Sequence, residues 1–386
     1  MTARLLIVVP PLTGHVNPTV GVAAQLREQG HEVAFAGAAE LVRALVGDEY
    51  PVYDCAIGEH PERPADARGP AALRFLWESF LVPLADAMVP GVHAAVADFR
   101  PDVLLVDQQA LAGALVADRL GLPWATSATT SAELVDPLAG LPKVAGWVEQ
   151  QLAGLVHRHG DPGLGGDPRF SRSLVLAFST EALAGSLDRD VTFVGPSIAD
   201  RPGKDIVWPA HWNDALPTVL VTLGTANVDA GERFLTECAQ ALTGRALNAI
   251  VLDPAGVLGP QPPHILVAER VRQLALLPRI DAVLCHGGHN TVCEALWHGV
   301  PLVVAPIRDD QPIVADQVVA AGAGIRLRFT RANAAQIGAA LDSVLTGASY
   351  RAAAHTVGES FRRAGGAKAA AQALIQLAAS VERTLV

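Results

Sequence analysis

The segment of residues 285–311, CHGGHNTVCEALWHGVPLVVAPIRDDQ, concentrates residue types that bind a phosphate ester. We predict that a buried apolar strand ends at His286, where Gly287 and Gly288 let the backbone approach a ligand closely. A helix is predicted to begin within a few residues, and the free N–H groups and positive dipole of its N-terminus favour a diphosphate. Three side chains add hydrogen-bond donors around this point: His286, Asn290 and Thr291.

Carboxylates and an amide follow at spacings that suit the sugar parts of a nucleotide sugar. Glu294 lies one helical turn beyond Asn290 on the same face, where it can accept hydrogen bonds from ribose hydroxyls. Asp310 and Gln311 come after the next predicted strand and offer a carboxylate and an amide to sugar hydroxyls. The segment therefore predicts a site for a nucleoside diphosphate and for the sugar attached to it.

Two other interpretations of this segment remain open on the residues alone. Its thiols and imidazoles could hold zinc, but a strand end and a helix would scatter these side chains: Cys285, His286, His289 and Cys293. The segment could also be a glycine-rich turn followed by a core helix. The order of His, two Gly, Glu and Asp-Gln favours a ligand site over both, and we predict no metal there.

A second set of residues could move a proton. His15 follows the first predicted strand, and an imidazole with its ordinary pKa of about 6.5 can act as a general base. Asp107 ends a different predicted strand, and it could orient His15 and stabilise its imidazolium. The alternative for Asp107 is a cap on the helix predicted from residue 110, and Pro18 is expected in the first turn of the helix after His15.

Alternating strands and helices must position these residues. Strand–helix–strand units are predicted at residues 5–36, 103–126, 217–252 and 282–305. Such alternation is typical of doubly wound parallel sheets, one in each half of the chain. Because ligands bind at the carboxyl ends of parallel strands, four residues are predicted to face a ligand: His15, Asp107, Thr225 and His286.

Length and composition restrict the class of protein. The chain has 386 residues, enough for two domains, and 29 Lys+Arg against 39 Asp+Glu give a net charge of −10. This acidic balance argues against a nucleic-acid partner and against docking on anionic membranes. No apolar run approaches the roughly 18 residues of a transmembrane segment. The four cysteines form no CxxC pair, so we expect reduced thiols and a cytoplasmic protein.

The residues from His286 to Gln311 resemble the donor-binding signature of the family 1 glycosyltransferases, which use nucleotide sugars. That signature contains HGG, Asn followed by Ser or Thr, Glu, GVP, and Asp-Gln after a proline, and all of these are present. The motifs GHVNP at residues 14–18 and VGP at residues 194–196 also match, so the resemblance spans essentially the whole chain. The bacterial branch that acts on antibiotics, macrolides and other natural products is the most similar.

The resemblance implies an α/β architecture, the GT-B fold, with two Rossmann-like, doubly wound parallel-sheet domains facing a central cleft. Residues 1–200 are expected to form the acceptor-binding domain and residues 217–366 the nucleotide-sugar-binding domain, with a linker at residues 201–216. The C-terminal helix, residues 367–386, is expected to pack back on the N-terminal domain. A homodimer is one option.

The implied activity is inverting transfer of a hexose from a UDP-glucose-like or dTDP-deoxysugar donor to a hydroxyl of an apolar acceptor. The resemblance makes His15 the general base, Asp107 its partner and Thr225 a diphosphate contact. The donor is a co-substrate, so no cofactor is expected. At the nucleobase clamp the family's aromatic residue and proline are missing, which leaves Arg270 to stack on the base and Val271 to bind it through the backbone.

The acceptor site is the least defined. Gly14 belongs to the GHVNP motif, and four aromatic side chains could line an apolar pocket: Phe75, Trp77, Phe80 and Trp124. At these spacings each aromatic residue could equally belong to the core. Two other functions remain open, namely a GT-B nucleotide-sugar epimerase or hydrolase and a non-catalytic binding homologue.

Overall fold

A computed structural model describes residues 2–55, 58, 64, 69–135, 138, 140–199, 205–224 and 231–384. The chain forms two compact units. The first contains Met1–Ser179, Leu187–Ala199 and Ala364–Val386, and the second contains Thr180–Ser186 and Asp200–Arg363. Thr180–Ser186 groups with the second unit, in which Thr180 Oγ1 lies 2.7 Å from Ser360 Oγ.

The first unit is built on a seven-stranded parallel sheet in the order β3-β2-β1-β4-β5-β6-β7. Its strands are β1 (Arg4–Val8), β2 (Glu32–Gly37), β3 (Val52–Asp54), β4 (Val103–Asp107), β5 (Trp124–Ala128), β6 (Val175–Ala177) and β7 (Thr192–Phe193). Its helices are α1 (Thr13–Glu28), α2 (Ala39–Val46), α3 (Pro70–Arg74), α4 (Val82–Phe99), α5 (Leu111–Leu120) and α6 (Pro142–His159). A π-helical segment, Phe75–Leu81, joins α3 to α4, and Ser131–Glu133 forms a 3₁₀ turn.

The second unit has a six-stranded parallel sheet in the order β10-β9-β8-β11-β12-β13. These strands are β8 (Thr218–Thr222), β9 (Asn248–Leu252), β10 (Ile265–Ala268), β11 (Ala282–Cys285), β12 (Leu302–Val304) and β13 (Gly324–Arg326). Its helices are α7 (Glu181–Ala184), α8 (Glu232–Leu242), α9 (Gln273–Leu276), α10 (His289–Trp297), α11 (Gln311–Ala320), α12 (Ala334–Thr346) and α13 (Ala348–Ala364), and a 3₁₀ turn covers Leu277–Arg279. The last helix, α14 (Gly366–Thr384), belongs to the first unit.

The two sheets confirm the predicted doubly wound α/β class. Residues 5–8 of β1 are apolar and fully buried because helices cover both faces of the sheet. Leu5 and Ile7 pack in one core with α1 and α14, while Leu6 and Val8 pack in another with α4 and α5. In each sheet the direction of winding reverses between two central strands, β1 and β4 in the first and β8 and β11 in the second. In open sheets this reversal is where ligands bind.

The C-terminal helix α14 completes the core of the first unit. Leu374 is fully buried among residues of β1, α1 and β4. Gly21 of α1 permits the close approach, since a Cβ there would lie 3.2 Å from the Cβ of Ala367 and 2.5 Å from Ser197 Oγ. The N–H of Gly366 donates to the carbonyl of Val194 at 2.6 Å, which fixes the start of the helix.

One helical run, Pro70–Phe99, is long and apolar enough to cross a membrane by length and composition alone, among the residues described. Its sequence has no long unbroken apolar stretch because charged residues interrupt the run, among them Arg74, Glu78 and Asp86. Leu84 and Met88 from this run pack in the core with β1 and β4. The core of the first unit therefore accounts for its apolar face.

Replacing Leu374 by alanine should destabilise the first unit by about 2–5 kcal/mol, because it removes a fully buried side chain and leaves a cavity. Urea denaturation followed by circular dichroism measures the change. Gln372 is exposed on the same helix, so Gln372→Ala is the matched control and should change the free energy of unfolding by no more than about 0.5 kcal/mol. Equal stability of the two variants would contradict the packing described here.

Candidate active site

His15 and Asp107 meet at the winding reversal of the first sheet. Helix α1 begins at Thr13, with four residues between it and the end of β1 at Val8, and Pro18 is its sixth residue and not in its first turn as predicted. Strands β1 and β4 run parallel with Val8 opposite Val106, which brings Asp107 beside the start of α1. The Nδ1 atom of His15 lies 2.9 Å from Asp107 Oδ1, with 17% of the His15 side chain and none of the Asp107 side chain exposed.

Asp107 does not cap the following helix. Helix α5 begins at Leu111, its N-cap residue is Ala110, and no side chain caps it. Instead, Asp107 Oδ1 accepts a hydrogen bond from the backbone N–H of Gln109 at 2.9 Å as well as contacting His15. The structure therefore favours the orienting position for this carboxylate over the alternative of a helix cap.

Sequence reasoning missed Thr129, the residue that follows β5. Its hydroxyl donates to Asp107 Oδ2 at 2.8 Å, and its oxygen lies 2.9 Å from His15 Nδ1. Only 3% of Thr129 is exposed. The signal that could have found it is its position, since it follows the carboxyl end of a strand that neighbours β4.

Glu133 and Arg169 are a second pair near this edge that sequence reasoning did not identify. Burial raises the pKa of Glu133, while the positive charge of Arg169, at 3.3 Å, opposes the rise. His15 and Asp107 also influence Glu133 electrostatically. Asp167 binds the same guanidinium at 2.7 Å, so Arg169 is shared by two carboxylates. This edge of the first unit is therefore polar and charged as well as apolar.

The structure separates the residues predicted to bind an acceptor. Gly14 lies exposed beside His15. Trp124 is the first residue of β5, about 13 Å of strand from the carboxyl end, and its indole N–H donates to Asp118 at 2.8 Å. Trp77 is 4% exposed and packs in a core cluster with α5 and α6. Phe75 and Phe80 are half-buried, and Phe80 packs against two core clusters.

In the second unit, His286 and two glycines form a tight turn between β11 and α10. Gly287 has φ +89°, and a Cβ there would lie 2.8 Å from Val304. Gly288 is the N-cap of α10, and a Cβ on it would clash with the ring of His286. Gly224, with φ +70°, comes equally close to that ring from the end of β8. The histidine thus lies at the winding reversal of this sheet, beside a helix N-terminus.

The His286 imidazole is held neutral. Burial lowers its pKa, a hydrogen bond with the backbone of Thr222 opposes this, and the charge of Arg308 adds to the lowering; together they bring the pKa to about 4. Its Nδ1 atom is buried with no hydrogen-bond partner among the residues described. Asn290 and Thr291 follow, half-buried, in the first turn of α10. Thr225 lies outside the described residues.

The residues predicted to bind the nucleoside differ in exposure: Glu294 is buried and paired with Gln273, whereas Arg270 is exposed. Glu294 is buried on α10, and its Oε2 accepts a hydrogen bond from Gln273 Nε2 at 2.7 Å. The Arg270 side chain is 79% exposed and lies 3.8 Å from Glu269, while Val271 is half-buried. Gln273 was not among the predicted site residues, although it stands in the segment where the nucleobase clamp was expected.

Asp310 and Gln311 begin α11, and Gln311 also has a structural role. Its Oε1 accepts the backbone N–H groups of Ile307 and Arg308 at 2.9 and 3.0 Å. Asp310 is the half-buried N-cap residue of the helix, and Asp309 before it has φ +55°. Gln311 therefore shapes the loop through its carbonyl oxygen.

The histidines and cysteines of the HGG segment do not gather around one point. Cys293 Sγ lies 3.4 Å from His289 Nε2 inside α10. Within the described part of the chain, no three His, Cys, Asp or Glu side chains are placed to hold a metal ion. All four cysteines are buried free thiols, and burial raises the pKa of Cys285 to about 12. These thiols are therefore protonated and unreactive at neutral pH.

Comparisons with known proteins show which proteins this chain is similar to. Residues 249–377 match the family model of the erythromycin biosynthesis protein CIII-like C-terminal domain. The 4'-demethylrebeccamycin synthase of Lentzea aerocolonigenes is 31% identical over 91% of this chain and 94% of that protein. The NDP-glycosyltransferase YjiC of Bacillus subtilis (strain 168) is 27% identical over 94% of each. The solved structure of spinosyn rhamnosyltransferase SpnG with thymidine diphosphate has 26% identity, a TM-score of 0.79, and 96% and 99% coverage.

An NMR titration should show His286 half-protonated near pH 4 rather than near 6.5. Its pKa is lower in the folded than in the unfolded chain. Between pH 6.5 and 4 the residue is therefore mostly protonated in the unfolded chain and mostly neutral in the folded one. Stability associated with this residue is therefore complete above pH 6.5 and is lost as the pH falls towards 4. The variant His286→Gln assigns the resonance and should remove this part of the pH dependence; a midpoint near 6.5 would contradict the burial argument.

Proposed function

Because this chain belongs to the family 1 GT-B glycosyltransferases of antibiotic and natural-product pathways, we propose that it is an inverting enzyme with His15 as general base. It is a glycosyltransferase that uses nucleotide sugars. The proposed reaction moves a hexose from a nucleoside-diphosphate sugar to a hydroxyl of an apolar natural product. The observation that carries the proposal is the 2.9 Å hydrogen bond between His15 Nδ1 and the buried Asp107.

The proposed step is a single displacement. The Nε2 atom of His15 takes the proton of the acceptor hydroxyl while the oxygen attacks the anomeric carbon. The bond between that carbon and the diphosphate oxygen breaks, and the diphosphate leaves with the electron pair. Because attack comes from the face opposite the leaving group, an α-linked donor gives a β-glycoside. Asp107 orients His15 and stabilises the imidazolium that forms.

The proposed diphosphate site is the N-terminus of α10. The dipole of the helix and its N–H groups stabilise negative charge there, and the glycines leave room for phosphate oxygens. Asn290 and Thr291 supply side-chain donors in the first turn. The net charge of −10 repels an anionic donor at long range, so these local groups and the charge of Arg308 next to His286 must outweigh it.

The remaining donor contacts are proposed from the same residues. Glu294, paired with Gln273, binds the ribose hydroxyls, while Arg270 and the backbone of Val271 face the base. Asp310 and the amide of Gln311 read the hydroxyls of a glucose-like hexose, which makes UDP-glucose the first candidate. Thymidine diphosphate in the spinosyn rhamnosyltransferase supports a dTDP-sugar as the other candidate.

The acceptor is proposed to bind at the carboxyl edge of the first sheet beside His15 and Gly14. Phe75 and Phe80 are the aromatic side chains that remain candidates for its apolar contacts. Four free buried thiols fit a reducing compartment, and we propose a cytoplasmic enzyme on that ground.

Replacing His15 by alanine should lower kcat for transfer by about 10²–10⁴-fold, because the acceptor hydroxyl loses its general base. Product is measured by mass spectrometry, and calorimetry with UDP and dTDP should show nucleotide affinity unchanged. The exposed His157 lies in the same unit, so His157→Ala is the matched control and should transfer normally. Normal transfer by His15→Ala would refute the assignment of the base.

Incubation with α-linked UDP-glucose or dTDP-glucose and a panel of apolar acceptors should yield β-glycosides, identified by the anomeric proton coupling in NMR. We expect these glucose donors to be better than a dTDP-deoxysugar, because Asp310 and Gln311 suit the hydroxyls that a deoxysugar lacks. An α-glycoside would contradict direct displacement. Rapid loss of donor without any acceptor would favour the hydrolase alternative instead.

A further inference from the structure

Thr129 contacts the proposed base, His15, and also its partner, Asp107. It donates a hydrogen bond in one contact and accepts in the other. Its hydroxyl hydrogen is directed to Asp107 Oδ2 at 2.8 Å, since a carboxylate can only accept. Its oxygen faces His15 Nδ1 at 2.9 Å. A threonine hydroxyl has one hydrogen, so once that hydrogen is given to Asp107, the oxygen can only accept from His15.

The other neighbour of His15 Nδ1 is also an acceptor. Asp107 Oδ1 lies 2.9 Å from Nδ1 and already accepts the backbone N–H of Gln109 at 2.9 Å. Two oxygens with no hydrogen to offer therefore face the same ring nitrogen. A neutral imidazole carries its hydrogen on one nitrogen and a lone pair on the other, so this arrangement requires the hydrogen on Nδ1.

We propose that Thr129 is a positioning residue that holds His15 in the Nδ1–H tautomer and so keeps on Nε2 the lone pair that accepts a proton. This inference rests on the proposed role of His15 as general base. Asp107 alone leaves the rotation of its carboxylate undetermined. The Thr129 hydroxyl holds Oδ2, the N–H of Gln109 holds Oδ1, and the oxygen facing His15 is thereby fixed.

The same contacts act after the proton has moved. Imidazolium carries hydrogen on both nitrogens, and its Nδ1–H then donates to an anionic and a neutral oxygen together. Thr129 is 3% exposed, so it acts through Asp107 and His15 rather than by touching a substrate. Thr129 directly follows β5, and β5 pairs with β4 so that Asp107 lies opposite Ser127. This pairing places the Thr129 hydroxyl next to the end of β4.

The test compares Thr129→Val with Thr129→Ser. Valine keeps the shape of threonine and removes the hydroxyl, whereas serine keeps the hydroxyl. We expect Thr129→Val to lower kcat by about 10–100-fold with KM for donor and acceptor within twofold of wild type, and Thr129→Ser to retain most of the activity. Calorimetry with UDP and dTDP, together with urea denaturation, establishes that both variants are folded.

A second measurement reads the tautomer without any turnover. Nitrogen-15 NMR of histidine-labelled protein, assigned with His15→Ala, should show the hydrogen of His15 on Nδ1 in the wild type and in Thr129→Ser. In Thr129→Val it should show a mixture of both tautomers. If valine lowers kcat but leaves His15 fully in the Nδ1–H form, the residue is merely structural and the inference is overturned; unchanged kcat in Thr129→Val overturns it equally.

These outcomes are distinguishable from failure of the proposed function. Normal transfer by His15→Ala would remove the general base and with it any catalytic effect of Thr129. The NMR measurement would then still show whether Thr129 sets the tautomer. A defect in Thr129→Val that serine restores, together with an inactive His15→Ala, supports both proposals.

Discussion

The parallel pairing of two central strands in each sheet is the constraint on which the candidate residues of each unit depend. In the first sheet Val8 pairs with Val106, and in the second Thr222 pairs with Cys285. Each pair lies where the winding direction reverses, so the chains leaving the two strands diverge to opposite sides and open a crevice. The residues that follow these strands, in the loops and at the starts of the next helices, define the chemistry at each edge.

Much of this arrangement could be predicted from local sequence. Unbroken apolar runs at residues 5–8 and 282–285 identify strands buried on both faces, and the glycines after His286 identify the turn. His15 and Asp107 were predictable as strand-end residues, and their hydrogen bond follows from the strand order. Thr129 was not predictable in this way, because its importance depends on the position of its hydroxyl in the folded chain. The predicted unit at residues 103–126 makes the two strands neighbours, but only the structure shows that the Thr129 hydroxyl reaches Asp107 and His15.

The aromatic residues show that residue type alone does not predict a binding site. Trp77 and Trp124 looked suited to an apolar pocket by type, but residue type does not distinguish a pocket from a core. Trp124 begins its strand, and the direction of a parallel strand alone assigns it to the end away from His15. The start of α1 was also misjudged. Proline favours the first turn of a helix, yet packing of α1 against the sheet extends the helix five residues ahead of Pro18.

The return of α14 to the first unit has a consequence for engineering by domain exchange. The first unit is discontinuous in sequence, since its last core layer comes from residues more than 160 positions beyond the end of β7. A chimera joined once, between the sheets, would pair the N-terminal sheet of one parent with the terminal helix of another, and Gly21 would face a foreign Ala367. Recombination that respects the folded units needs a second junction near residue 364, so that the terminal helix travels with the sheet it covers.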